Sequence, residues 1–119
     1  MDIQELKQKI IKVIEDNSEK IISVGKKLYN NPELGYKEFF TTKFVAEKLE
    51  NLGLEVSKNI AISGCSAFAP GKNKGPNICI MGELDAIIVR QHKDADKVTG
   101  AVHACGHNIQ LAAMIGAAT

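Results

Sequence analysis

Asn77-Ile78-Cys79-Ile80-Met81-Gly82-Glu83-Leu84-Asp85-Ala86 is the stretch on which the fold turns. Its first half is a short, continuous apolar run that stops at a glycine. Upstream it is bracketed by Pro70, Gly71, Gly75 and Pro76 around the basic turn KNKG. A run of this length between turn residues predicts a strand buried on both faces, as in a parallel sheet covered by helices. Glu83 and Asp85 then follow at once. In open α/β sheets ligands gather beyond the carboxyl ends of strands, so these two carboxylates fall where a site is expected.

Working outward, Leu54 to Ala69 alternates apolar and polar residues in LEVS and NIAIS, which predicts two short strands joined by a turn. Before it, Phe40, Phe44, Val45, Leu49 and Leu52 share one helical face, with Thr41 or Thr42 near the start and Gly53 placed just past the end. From Ile3 to Leu28, apolar residues recur at spacings of three, four and seven among Lys and Glu. That periodicity predicts an amphipathic helix broken near Asn17. Asn30, Asn31 and Pro32 end it, because proline pushes the preceding residue out of the helical region. On the other side of the central stretch, an irregular segment leads to IQLAAMIGAA, rich in the best helix formers. Helices preceding strands, with a buried central strand, predict an α/β sandwich.

Composition narrows the possibilities. An apolar share of 45% with 24% charged residues fits a globular domain and argues against intrinsic disorder. The 15 basic and 14 acidic residues leave a formal net charge of +1, so no strong field draws in nucleic acid or an anionic membrane. MDIQELKQKI lacks the apolar core and cleavage site of a secretory signal, which sets a cytoplasmic location as the expectation. With three cysteines, Cys65, Cys79 and Cys105, a disulfide framework is not expected.

The densest cluster of chemistry is His103-Ala104-Cys105-Gly106-His107-Asn108, between the irregular segment and the last helix. Thiolate and imidazole are the best zinc ligands among side chains, and Gly106 lets the backbone bend tightly between two of them. A carboxylate such as Asp85 can bind an ion or fix the tautomer of a ligating histidine. The competing readings are plainer: a cysteine is commonly a small buried hydrophobe, and a histidine close in sequence does not by itself make Cys105 a nucleophile. Cys65 and Cys79 sit in strand-like apolar surroundings and read as core. His92, with Lys93, Asp94, Asp96 and Lys97, reads as a solvated loop.

GELDA followed by TGAVHACGHN closely resembles the N-terminal signatures of the M20 peptidase and amidohydrolase family, in its aminoacylase-like and aminobenzoyl-glutamate-hydrolase-like branch. NPELGYKE and the helix TTKFVAEKLENLG are similar to that family's N-terminal region as well. The resemblance implies a three-layer α/β/α catalytic domain that binds two divalent ions, zinc or manganese. It implies hydrolysis of the amide bond of N-acyl amino acids, small peptides or aminobenzoyl-glutamate-like conjugates. Carried over residue by residue, it makes Cys105 and His107 metal ligands and puts Asp85 beside the metal centre.

It also implies that residues 1–119 are the N-terminal part of the catalytic domain. The paired glutamates that supply the general base, further histidine ligands and a lid or dimerisation domain would lie elsewhere, with homodimer formation a property of the complete protein. On this basis the isolated chain is expected to be inactive, and a non-catalytic metal- or partner-binding module is the alternative. Two departures stand out. Asn108 replaces the more usual Asp after HACGH, matching the aminobenzoyl-glutamate-like subgroup, and Ile87-Ile88 alters the usual DALP sequence.

Overall fold

A computed structural model describes residues 2–119. The elements follow in the order α1 (Ile3–Asp16), α2 (Ser18–Tyr29), α3 (Phe39–Asn51), β1 (Glu55–Ile60), β2 (Gly64–Phe68), β3 (Ile87–Ile88), β4 (Ala101–Val102) and α4 (His107–Ala118). This is a mixed α/β arrangement with two small antiparallel sheets, β1 with β2 and β3 with β4.

The break at Asn17 lies where the periodicity places it. The Asn17 side-chain amide donates to the Val13 carbonyl at 2.9 Å, offering the backbone a local partner that ends α1, and α2 starts at the next residue. Asn31 acts similarly past the end of α2, donating to the Lys27 carbonyl at 2.8 Å. The start of α3 is held by Glu33, whose carboxylate accepts the N–H of Phe40 at 3.1 Å and of Thr41 at 2.7 Å. A carboxylate there satisfies orphan donors and opposes the positive end of the helix dipole. Gly53 takes φ +81° and donates to the Glu50 carbonyl at 2.9 Å, closing the helix as predicted.

The core is helical. Val24 and Leu28 of α2, Val45 and Leu49 of α3, and Leu111, Ala112 and Ile115 of α4 form one buried cluster. Leu28 and Leu111 are almost wholly excluded from water, each contributing about 1.5 to 3 kcal/mol. The β1–β2 hairpin packs Val56, Cys65 and Ala67 against this cluster. Cys65 thus meets the core, as its surroundings predict.

Two expectations are corrected. Asn77 to Met81 forms no strand, and Ile78 and Met81 are 86% and 82% exposed. A buried strand needs ladder partners on its edges and cover on its faces, and no described segment supplies either. Cys79, on that run, is exposed and not core. The first helix has the predicted amphipathic pattern, yet α1 buries none of its residues, leaving Ile3, Leu6, Ile10 and Ile14 open.

Candidate metal centre

Gly82 brings the chain against α4. A Cβ at this position would lie 2.9 Å from Leu111 Cδ2, so only a glycine allows this approach without displacing a core leucine. Four residues on, Ala86 is buried, forms a parallel bridge with Leu34 and donates its N–H to the Glu33 carbonyl at 2.7 Å. Pinned at both ends, the intervening segment presents Glu83 and Asp85 to the first turn of α4.

The other side of the centre is built by the loop from His92 to Gly100. Asp96 Oδ1 accepts the N–H groups of Val98 at 3.1 Å and Thr99 at 2.7 Å, and the Thr99 hydroxyl at 2.7 Å. These bonds hold its carboxyl below the usual carboxylate range, the backbone N–H of Thr99 being the largest cause. The loop delivers β4, which leads straight into His103. There the Gly106 N–H donates to the His103 carbonyl at 3.2 Å, and Gly106 adopts φ +79° to start α4 at His107.

His107 is the hub. Its Nδ1 lies 2.8 Å from the Asp85 backbone carbonyl and 3.1 Å from Asp85 Oδ1, and its Nε2 lies 3.1 Å from Glu83 Oε2. Both Asp85 oxygens can only accept, so Nδ1 carries a proton and the ring is oriented with Nε2 toward Glu83. This is the arrangement in which a carboxylate fixes a histidine for metal binding. Gln110, one turn along α4, accepts the Glu83 N–H through Oε1 at 2.5 Å and donates from Nε2 to Glu83 Oε2 at 3.4 Å.

Of the residues singled out from sequence, Asp85 and His107 are brought together. Cys105 is exposed on the turn between β4 and α4, and among the described residues no group of three or more His, Cys, Asp and Glu converges as an ion cage. His92 stays within its loop, where its Nδ1 accepts the Asp94 N–H at 3.1 Å. Asn108 is buried and donates to the Gly25 carbonyl at 3.2 Å, a bond between helices and not to the site.

The burial of His103, a member of the cluster read from sequence, is what the pattern does not announce. Neither of its ring nitrogens has a partner. Burial lowers its pKa, the neighbouring His107 adds to that and Asp85 opposes it. An orphaned imidazole near His107 and Asp85, with the Cys105 thiol two residues along the chain, is a donor set suited in type to zinc or manganese. By contrast, a groove of about 490 Å³ between α2 and α4, lined by Ile21, Ile22, Tyr29, Asn108, Ile109 and Ala113 among others, contains no acidic residue, cysteine or histidine. It is not where an ion would sit.

Comparison with known proteins gives consistent relatives. The chain is 36% identical over 122 residues to thermostable carboxypeptidase 2 of Saccharolobus solfataricus, an alignment covering 99% of the chain and 30% of that protein. It is 31% identical to IAA-amino acid hydrolase ILR1-like 2 of Arabidopsis thaliana, over 82% of the chain and 23% of the relative. It is 33% identical to N-acetyl-L-cysteine deacetylase of Bacillus subtilis, over 82% of the chain and 24% of the relative. No family model matches the chain, and no solved structure matches it. The chain therefore spans about a third or less of the length of these relatives.

Proposed function

Because the chain belongs to the M20 family of peptidases and amidohydrolases, we propose that it contributes the first part of a metal-dependent hydrolase acting on amide bonds. Its substrates would be N-acyl amino acids, small peptides or aminobenzoyl-glutamate-like conjugates, small molecules of the kind that the relatives' names describe. The observation that carries the reading is His107, turned by Asp85 so that Nε2, the nitrogen that would bind an ion, faces Glu83.

Cys105 and His107 would hold a divalent ion, zinc or manganese, one of two in a complete site. Such an ion polarises an amide carbonyl and lowers the pKa of bound water. This chain's own part is positional. Asp85 holds the His107 proton on Nδ1, Gly106 lets the backbone turn between the two ligands, and Gly82 keeps the acidic segment against α4. The remaining ligands and the general base would come from outside residues 1–119, in a three-layer α/β/α domain that covers Ile78 and Met81. No described helix is long and apolar enough to cross a membrane, and we place the protein in the cytoplasm, without nucleic-acid or membrane partners and with homodimerisation in the complete protein.

A second reading, a metal- or partner-binding module without turnover, draws on the absence of a three-donor cage among the described residues. The test is hydrolysis of a panel of N-acetyl amino acids by metal-free protein with and without added zinc or manganese. Turnover that appears with metal and disappears with chelator supports the hydrolase. Metal binding without turnover by the complete protein supports the module.

A further inference from the structure

Glu83 and His107 meet in a way that neither side chain satisfies alone. Asp85 holds a proton on Nδ1 of His107, which leaves Nε2 as the nitrogen that can bind an ion, and 3.1 Å from it stands Glu83 Oε2, a carboxylate oxygen that only accepts. The contact needs a positive centre, which is a second ring proton when no ion is bound, and an ion held by Nε2 takes that proton's place with Glu83 Oε2 within its reach. With bonds of about 2.0 to 2.2 Å, two donors on one ion lie about 2.8 to 3.1 Å apart along an octahedral edge and about 3.3 to 3.6 Å apart along a tetrahedral one, so the 3.1 Å between this pair brings both within reach of one ion. From this geometry we infer that Glu83 is a further metal ligand, sharing one ion with His107.

The pair is built and not accidental. Gln110 grips Glu83 from both ends, accepting its backbone N–H at 2.5 Å and donating to Oε2 at 3.4 Å. Gln110 and His107 stand three residues apart on α4, a spacing that puts them on one face of the helix. Gly82 fixes the distance from the other side, because its lack of a Cβ allows the approach to Leu111. The Glu83 side chain is 64% exposed while His107 is 14% exposed, so an ion reaches the pair from solvent and keeps positions open for water or other ligands.

This inference rests on the metal-hydrolase reading and deepens it, and its test separates the two. Cobalt(II) is titrated into metal-free protein and into Glu83→Gln, His107→Ala and Cys105→Ser, following the d–d bands and the thiolate charge-transfer band. Glu83→Gln keeps an oxygen for Gln110 and removes only the charge and the anionic ligand. The expected result is a loss of cobalt affinity of about tenfold or more, together with altered d–d bands, while the thermal unfolding curve stays that of the original protein. Unaltered bands and affinity in Glu83→Gln, with binding abolished in His107→Ala, would overturn the role of Glu83 and leave the metal site standing. No cobalt binding by the unsubstituted protein would overturn both.

Discussion

The side-chain amide of Asn108 donates to the backbone carbonyl of Gly25, 3.2 Å away and 83 residues earlier in the chain. Asn108 is the second residue of α4 and Gly25 lies within α2, so this bond ties the helix that carries His107 to the core helix beside it. A Cβ at Gly25 would sit 3.5 Å from Ala112 Cβ, which shows how near the two helices run. The neutral amide at the position after HACGH is therefore a structural requirement here, since a carboxylate could not donate to that carbonyl.

Asn108→Asp should destabilise the protein by about 1 to 3 kcal/mol, by replacing a buried hydrogen bond with two facing acceptors. Urea unfolding followed by circular dichroism measures this directly. A midpoint unchanged at neutral pH would show that the bond between α2 and α4 contributes nothing.

Two glycines differ in how a methyl group would be received. Gly106 has φ +79° with nothing within 4 Å of an added Cβ, whereas at Gly100, φ +76°, the Cβ would meet Arg90 Cγ at 2.8 Å and Ile88 Cγ2 at 3.3 Å. Gly106→Ala should cost about 1 to 2 kcal/mol from backbone strain alone. Gly100→Ala should cost more, because the side chains of the β3–β4 hairpin must also shift. Equal losses in paired thermal melts would contradict the crowding at Gly100.

Much of the fold is legible in the sequence because helices are local. The 3.6-residue period, the break at Asn17, the stop at Asn30–Pro32 and the glycine after α3 each rest on residues a few positions apart, and so does the β1–β2 hairpin. Asn77 to Met81 shows the opposite case. An apolar run states that burial is favourable, but a strand exists only where another strand pairs with it, and that partner is not written in the run itself. At the site, the nearness of Asp85 to His107 is what the family resemblance implies, and it holds without the strand that the apolar run predicts. The grip of Gln110 on Glu83 had only the His107–Gln110 spacing to announce it, and the burial of His103 had no local signal at all.

Asp96 should make the loop before β4 sensitive to acid. Its folded pKa lies below the unfolded value because the carboxylate accepts from Val98 and Thr99, so the stabilisation is present above the ordinary carboxylate pKa. It is lost as pH falls through the folded value. Asp96→Ala should therefore lower stability at neutral pH, and the difference from the original protein should shrink steadily under acid. A gap that stays constant across that range, read from denaturant curves at a series of pH values, would remove the carboxylate from the account.

The three thiols should differ in reactivity. Cys65 is half-buried, and burial raises its pKa against an opposing effect of Lys58, whereas Cys79 and Cys105 are exposed. Since the thiolate is the reacting species, iodoacetamide should modify Cys65 slowest. Peptide mapping by mass spectrometry resolves the three rates. Added zinc should then protect Cys105 and leave Cys79 unchanged, and equal protection of both would argue against Cys105 as a ligand.

Asp85→Asn tests whether the orientation of His107 matters to metal binding. The substitution keeps the size of the side chain and the backbone carbonyl at 2.8 Å, but it removes the anionic acceptor at 3.1 Å from Nδ1 and introduces an amide that can donate. The ring then loses a strong preference for carrying its proton on Nδ1, and a share of the molecules presents a protonated Nε2 that cannot bind an ion. Zinc affinity measured by competition with a chromogenic chelator should fall by about ten- to a hundredfold. Because Asp85 lies against His107 and is partly exposed, thermal stability should change far less than affinity. Should stability collapse while the affinity of the folded fraction is kept, Asp85 would be holding the β3 segment in place and not the imidazole.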